Sequence, residues 1–189
     1  MTLSGLSANS TYHYLVQSAD VSTNTTTDVD HSFQTGGSFS YAPSSTTILT
    51  GTLSSGTFSN LATNNSSYYV VNSTTSGTRT ASWYGSVTVS QAPASISRLT
   101  LTYDGKYSRS GTQVLYLYNW VSAAWTQIDS RTVSTTDVTI TNTQTSPANY
   151  ISSTGEIRLR VYRSTGTRNF TCSGDYMQFT VETSGIVLS

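Results

Sequence analysis

Two histidines, a single cysteine and nine carboxylates are the whole acid, base and thiol inventory of this 189-residue chain. Their spacing supports no reaction. His13 and His31 both fall early, so the main run of strand-forming sequence has no imidazole for a Ser–His–Asp relay. The acidic residues are scattered singly, whereas glycoside hydrolysis needs two carboxylates held on either side of the scissile bond. Cys172, His13 and His31 show no zinc-ligand spacing. For calcium, which takes carboxylate and carbonyl oxygens, the closest carboxylate pair is Asp28 and Asp30 in "TTTDVDHSF". The expectation is a non-enzyme without a cofactor, with structural calcium as the one metal its oxygen donors could serve.

Binding chemistry is better supplied. In "LYLYNWVSAAWTQID", residues 115–129, Tyr116, Tyr118, Trp120 and Trp125 surround a small-residue turn. Trp120 and Trp125 flank that turn and are expected to pack against each other across a hairpin, because buried rings are the commoner case. A sugar platform needs something different: exposed flat rings against pyranose faces, and fixed polar groups for hydroxyls. Strand alternation offers such groups on a polar face, namely Arg98, Arg158, Arg160, Tyr162, Tyr176 and Gln178, with Glu182 nearby and Tyr84 or Tyr116 available from a neighbouring strand. The competing reading is a solvated face crossed by Arg–Glu pairs worth under about 1 kcal/mol each. Three arginines, Arg98, Arg158 and Arg160, at alternating positions in a chain with only nine basic residues keep the recognition reading open beside it.

These side chains need strands to hold them. Turn-bounded runs at 68–72, 80–89, 96–104, 113–120, 125–133, 137–141, 156–163 and 176–182 read as strands, and no helix is credible. Leu99, Leu101 and Tyr103 share one parity, as do Ile157, Leu159 and Val161, then Met177, Phe179 and Val181. The alternate positions are polar. This pattern predicts an all-β fold, an antiparallel β-sandwich of jelly-roll type. "GGSFSYAPSSTT" reads as a junction between residues 1–37 and residues 38–189, with Gly36 and Gly37 free of side-chain restraint.

Within residues 2–36, Leu6, Tyr12, Tyr14, Val16, Asp20, Asn24, Phe33 and Thr35 resemble the closing strands of a fibronectin type III domain. Tyr12 stands six residues after Leu6, as the corner tyrosine of that family does, which implies a hydrogen bond back to the preceding loop. Ala8 and Ser10 depart from the family's Pro and Thr. Only the end of the pattern is present, read as three strands, and so few strands bury too little to fold alone. They are expected to pack on the following domain or on a neighbour, unless earlier strands complete them.

Residues 50–182 resemble the carbohydrate-binding-type β-sandwich modules of secreted bacterial proteins, through "SSYYVVNS", "SWYGSV", "LYNWVSAAWTQID", "GEIRLRV" and "GDYMQFTVE". That resemblance implies a non-catalytic, polysaccharide-binding module of a larger protein, secreted or at the cell surface. Related modules tend to place calcium-binding Asp in a loop like "LATNNSSYY", where this chain has Asn64 and Asn65. The alternative is a structural or adhesive subunit of an extracellular filament or surface layer, its front strands completing the sheet of another copy.

Composition bounds the partners. Basic and acidic residues balance at nine each, so no net field draws the chain to nucleic acid. No apolar run reaches the roughly 18 residues of a membrane span, and "MTLSGLSANS" lacks the basic start and apolar stretch of a signal peptide. An exported chain of this kind reads as a piece of a longer precursor. Ser, Thr and Tyr in place of Lys and Glu suit an extracellular β-surface. Sequons at Asn9, Asn24, Asn64, Asn65, Asn72 and Asn169 are what chance gives in so Ser/Thr-rich a sequence.

Overall fold

A computed structural model describes residues 4–185. The front of the chain forms four short strands where the sequence suggests three: β1 (Thr11–Tyr14), β2 (Gln17–Ala19), β3 (Thr25–Thr27) and β4 (His31–Gln34). β1 pairs antiparallel with β4, and β2 with β3, as two separate ladders. The exposed Leu15 and Val16 divide the first run. Asp20 closes the β2–β3 turn by accepting from the Ser22 and Asn24 amides and the Asn24 side chain, bonds that lower its carboxyl pKa. The Ser7 amide donates to the Tyr12 hydroxyl at 2.8 Å, the corner bond that the Leu6–Tyr12 spacing implies. Asp28 bonds His31 at 2.9 Å and Asp30 bonds His13 at 2.8 Å, so each carboxylate of the pair faces its own imidazole. No residue from 4 to 37 is buried.

From Ser38 onward the chain builds two facing sheets. Its strands are β5 (Ser38–Tyr41), β6 (Ser45–Thr50), β7 (Thr52–Ser55), β8 (Tyr69–Asn72), β9 (Arg79–Thr88), β10 (Ile96–Tyr107), β11 (Gly111–Asn119), β12 (Ala124–Val133), β13 (Val138–Gln144), β14 (Glu156–Thr165) and β15 (Thr171–Thr183), with three short 3₁₀ turns between them. One sheet has the order β13-β10-β15-β8-β7, with β5 also on β15, and the other β12-β11-β14-β9-β6. All pairings are antiparallel, and the architecture is a β-sandwich. "GGSFSYAPSSTT" is thus more than a junction, since it contains β5 and the start of β6. With Phe39 and Tyr41 as its only large apolar residues, β5 is too weakly patterned to read alone; its register comes from β15, with Ser38 opposite Glu182 and Tyr41 opposite Phe179.

The inward positions are those that alternation assigns. Leu99, Leu101, Tyr103, Met177, Phe179 and Val181 from one sheet meet Trp83, Leu115, Leu117, Ile157, Leu159 and Val161 from the other, all essentially without solvent contact. Trp83 is the core tryptophan. It meets Tyr69 at 4.9 Å between ring centres and donates its indole N–H to the Cys172 sulfur at 3.3 Å. Gly85 lies where a Cβ would fall 2.5 Å from the Met177 sulfur, so Met177 packs into space that any side chain at position 85 would fill.

Arg163 shares the inward parity of β14 and is buried near one end of the sandwich. Its guanidinium lies over Tyr107 and Phe170 and donates to the carbonyls of Arg109 and Ser110. Lys106, the only lysine, donates to the Tyr68 hydroxyl and pairs with Asp137 at 3.5 Å.

Candidate ligand-binding face

On the outer face of the five-stranded sheet, register sets one row across every strand: Gln127 of β12, Tyr116 of β11, Arg160 of β14, Tyr84 of β9 and Thr47 of β6. Arg160 therefore sits at the centre of the face. Beside this row, Tyr118 stands opposite Trp125, and on the other side Tyr162 stands opposite Val114 and Ser82. The turn from Trp120 to Ala123 folds Trp120 onto the same face. Asn119 stabilises that turn by accepting from the Val121 and Ser122 amides, and Ala123 takes a left-handed φ of 51°.

Six rings and two guanidinia form one patch. Ring centres lie 5.6 Å apart for Tyr84–Trp125, 5.1 Å for Tyr118–Trp125, 4.9 Å for Tyr118–Trp120 and 6.0 Å for Tyr116–Tyr162. Arg158 lies over Trp120 at 4.6 Å, Tyr118 at 5.3 Å and Tyr84 at 5.4 Å. Arg160 lies over Tyr162 at 5.0 Å, Tyr116 at 5.3 Å and Trp125 at 5.6 Å. A guanidinium suits such a setting because it is planar and weakly hydrated, and each stacked contact is worth about 0.5–1 kcal/mol when solvent reaches it. Every one of these side chains is half-buried, so the rings keep accessible surface.

The two arginines differ electrostatically. Glu156 grips Arg158 with two bonds, 2.7 and 3.1 Å, and these hold its pKa above the ordinary guanidinium value. Arg160 donates its Nε–H to the buried Ser82 hydroxyl at 2.8 Å. Burial among the rings pushes its pKa down, opposed by Tyr116 and Tyr162.

The six expected site residues divide between opposite sides of the molecule. Arg158, Arg160 and Tyr162 belong to the ring face. Arg98, Tyr176 and Gln178 lie on the outer face of the other sheet, where Arg98 pairs with Glu182 at 3.6 Å, Gln178 stands opposite Thr102 and Tyr176 opposite Asp104. The single polar face of the sequence reading is two faces, because β14 belongs to one sheet and β10 with β15 to the other. Trp120 and Trp125 are also not packed on each other: Tyr118 stands between them. The usable signal was parity, since Leu115 and Leu117 point inward and send Tyr116 and Tyr118 outward, and a hairpin register then carries Trp125 with them.

Other features of the surface are less suggestive. A cleft of about 630 Å³ lies away from the rings and is lined by Thr52, Asn72, Ser108, Arg109 and Phe170 among others. In "LATNNSSYY" the amides of Asn65, Ser66 and Ser67 donate to the buried Asp175 carboxylate, so the loop turns N–H groups, not oxygens, toward its one acid. Among the described residues, no group of three or more His, Cys, Asp or Glu side chains could hold a metal ion.

The chain is thus an antiparallel β-sandwich with a ring-and-arginine platform on one sheet. It belongs to the family described as a domain of unknown function, DUF8815, which matches residues 52–182. No curated protein matches the chain. Its fold is similar, at low identity over most of the chain, to carbohydrate-binding module sandwiches. These include a CBM4 structure (14% identity, 77% of this chain and 94% of that one, TM-score 0.45) and TmCBM61 in complex with β-1,4-galactotriose (9% identity, 79% and 88%, TM-score 0.37). The tailspike protein 4 enzymatically active domain of bacteriophage CBA120 is similar over 80% of this chain and 19% of its own (11% identity, TM-score 0.39).

Proposed function

We propose that the outer face of the five-stranded sheet is the recognition surface of a non-catalytic glycan-binding module, part of a larger protein acting outside the cell. The observation that carries this reading is the half-exposed cluster of Tyr84, Tyr116, Tyr118, Tyr162, Trp120 and Trp125 around two guanidinia. Core packing does not use these rings, and a solubilising surface does not call for them. Flat rings cover the apolar faces of pyranoses, while the arginines and tyrosine hydroxyls supply the polar groups that fix orientation. A shallow platform gains only a small surplus over the costs of association. Dissociation constants for polysaccharide between about micromolar and millimolar follow.

Affinity electrophoresis against a panel of polysaccharides, with the intact chain and Trp125→Ala, tests this. At least one polysaccharide should retard the protein, and Trp125→Ala should abolish the retardation at a stability cost of about 1–2 kcal/mol, below the 3–5 typical of a fully buried tryptophan. Retained binding in the variant moves the site elsewhere. Indifference to every polysaccharide favours the structural alternative, for which the front ladders offer a specific observation: Tyr12, Tyr14, Phe33 and His31 form a partly exposed ring row on a two-stranded sheet that has no further strand paired to it among the described residues.

A further inference from the structure

Among the described residues most charges are answered within the chain, and Arg109 and Arg168, which have no such partner, are exposed on connecting segments where water solvates them. Glu156 neutralises Arg158, Glu182 faces Arg98, Asp129 holds Arg131, and Asp137 faces Lys106. Buried Arg163 places two nitrogens on backbone carbonyls, and Arg79 bonds Asn169 and the Gly77 carbonyl. Arg160 differs. Among the described residues no carboxylate lies within ion-pair distance of it, and its one hydrogen bond runs from Nε to Ser82 Oγ. That bond fixes the guanidinium by its inner edge and leaves Nη1 and Nη2 without an acceptor among the described residues. Tyr116, Tyr162 and Trp125 line its surroundings with ring faces, which stack but cannot cancel a charge.

A cation at the centre of a ring platform, partly removed from water and lacking a counter-charge, is complementary to an anion brought by the ligand. The free pair of nitrogens at the end of a guanidinium presents two parallel N–H groups, the geometry that a planar carboxylate accepts bidentately. A sugar bearing only hydroxyls leaves that charge unanswered. Resting on the glycan reading of this face, the geometry points to an acidic polysaccharide as its ligand: a uronate unit with its carboxylate on Nη1 and Nη2 of Arg160 and its ring against the neighbouring aromatic faces. Ser82 is then a positioning residue, holding the fork in place from beneath the face.

Isothermal titration of the full chain with polygalacturonate, polyglucuronate and alginate, each also in carboxyl-reduced form, tests the assignment beside neutral glucans and mannans and dextran sulfate. At least one uronate polymer should bind, and reduction of its carboxyl groups should weaken binding tenfold or more. Arg160→Gln should weaken it by a similar factor in a protein that still unfolds in one cooperative transition, at a melting temperature lower by no more than a few degrees. Arg160→Lys, which keeps the charge and loses the fork, should recover only part of the affinity. Equal affinity for the carboxyl-reduced polymer, or a preference for neutral glycans, overturns the uronate assignment and leaves the glycan surface standing. Binding to dextran sulfate without binding to any uronate also overturns it, in favour of non-specific charge attraction. Silence against every neutral and acidic polysaccharide removes both readings together.

Discussion

Trp83 and Trp125 are chemically identical and occupy opposite sides of one sheet. Trp83 is sealed between Tyr69, Tyr103 and Cys172, whereas Trp125 shares an outer face with Tyr84, Tyr118 and Arg160. The surroundings of Trp83 carry a pH signature. Burial pushes the Tyr103 and Tyr107 hydroxyls well above their ordinary range and raises the Cys172 thiol. In the unfolded chain a thiol titrates near about 8.5 and a tyrosine near about 10. The folded state therefore holds protons that the unfolded state has already lost. Stability from these groups is complete below the unfolded thiol value and falls as pH rises toward the folded values. Urea midpoints at pH 7, 9 and 10.5 should decrease in that order, and a flat series would mean that the core does not resist ionisation.

At the level of strands, one contact between the sheets depends on a glycine. Gly85 of β9 faces Met177 of β15 with no room for a methyl group between them, so Gly85→Ala is expected to destabilise by about 1–3 kcal/mol through overpacking. Pairing it with Met177→Ala should recover part of that loss, and simple additivity in denaturant titrations would contradict the contact. The long strands were legible in sequence because each buries one face: Leu99, Leu101 and Tyr103 announce β10, and Ile157, Leu159 and Val161 announce β14. β5 was not, since Ser38, Ser40 and the half-buried Phe39 carry little alternation and the strand exists by pairing with β15. Half of the expected site residues share one face. Parity placed Arg158, Arg160 and Tyr162 outward, but parity is blind to which sheet a strand joins, so Arg98, Tyr176 and Gln178 were grouped with them. Trp120 and Trp125 were expected to pack on each other because sequence shows that a hairpin brings rings together without showing which side of the sheet they occupy.

For the molecule as a whole, the front segment and the sandwich meet at a narrow join. Gly37 and Thr183 exchange bonds, the Gly37 amide donating to Thr183 Oγ1 at 3.0 Å and the Thr183 amide to the Gly37 carbonyl at 2.9 Å, while a cleft of about 460 Å³ separates residues such as Gln34 and Thr35 from Gln91 and Ser95. With nothing buried among the described residues before Ser38, deletion of residues 1–36 should shift the melting temperature of the remainder by no more than about 3 °C, equivalent to roughly 1 kcal/mol at this size. A larger drop in calorimetry would show that the front strands brace the sandwich. The pairing of β5 with β15 has a mechanical consequence. The first and last strands of the sandwich run antiparallel side by side, so a pull applied through residues 37 and 183 loads the Gly37–Thr183 bonds first, then the Ser38–Glu182 rung, and the Tyr41–Phe179 rung last. Tension opens such a pair like a zipper, one bond at a time, instead of shearing all its bonds at once, and a module strung in this way yields early under load while its ring platform, on the other sheet, stays intact until the zipper has run.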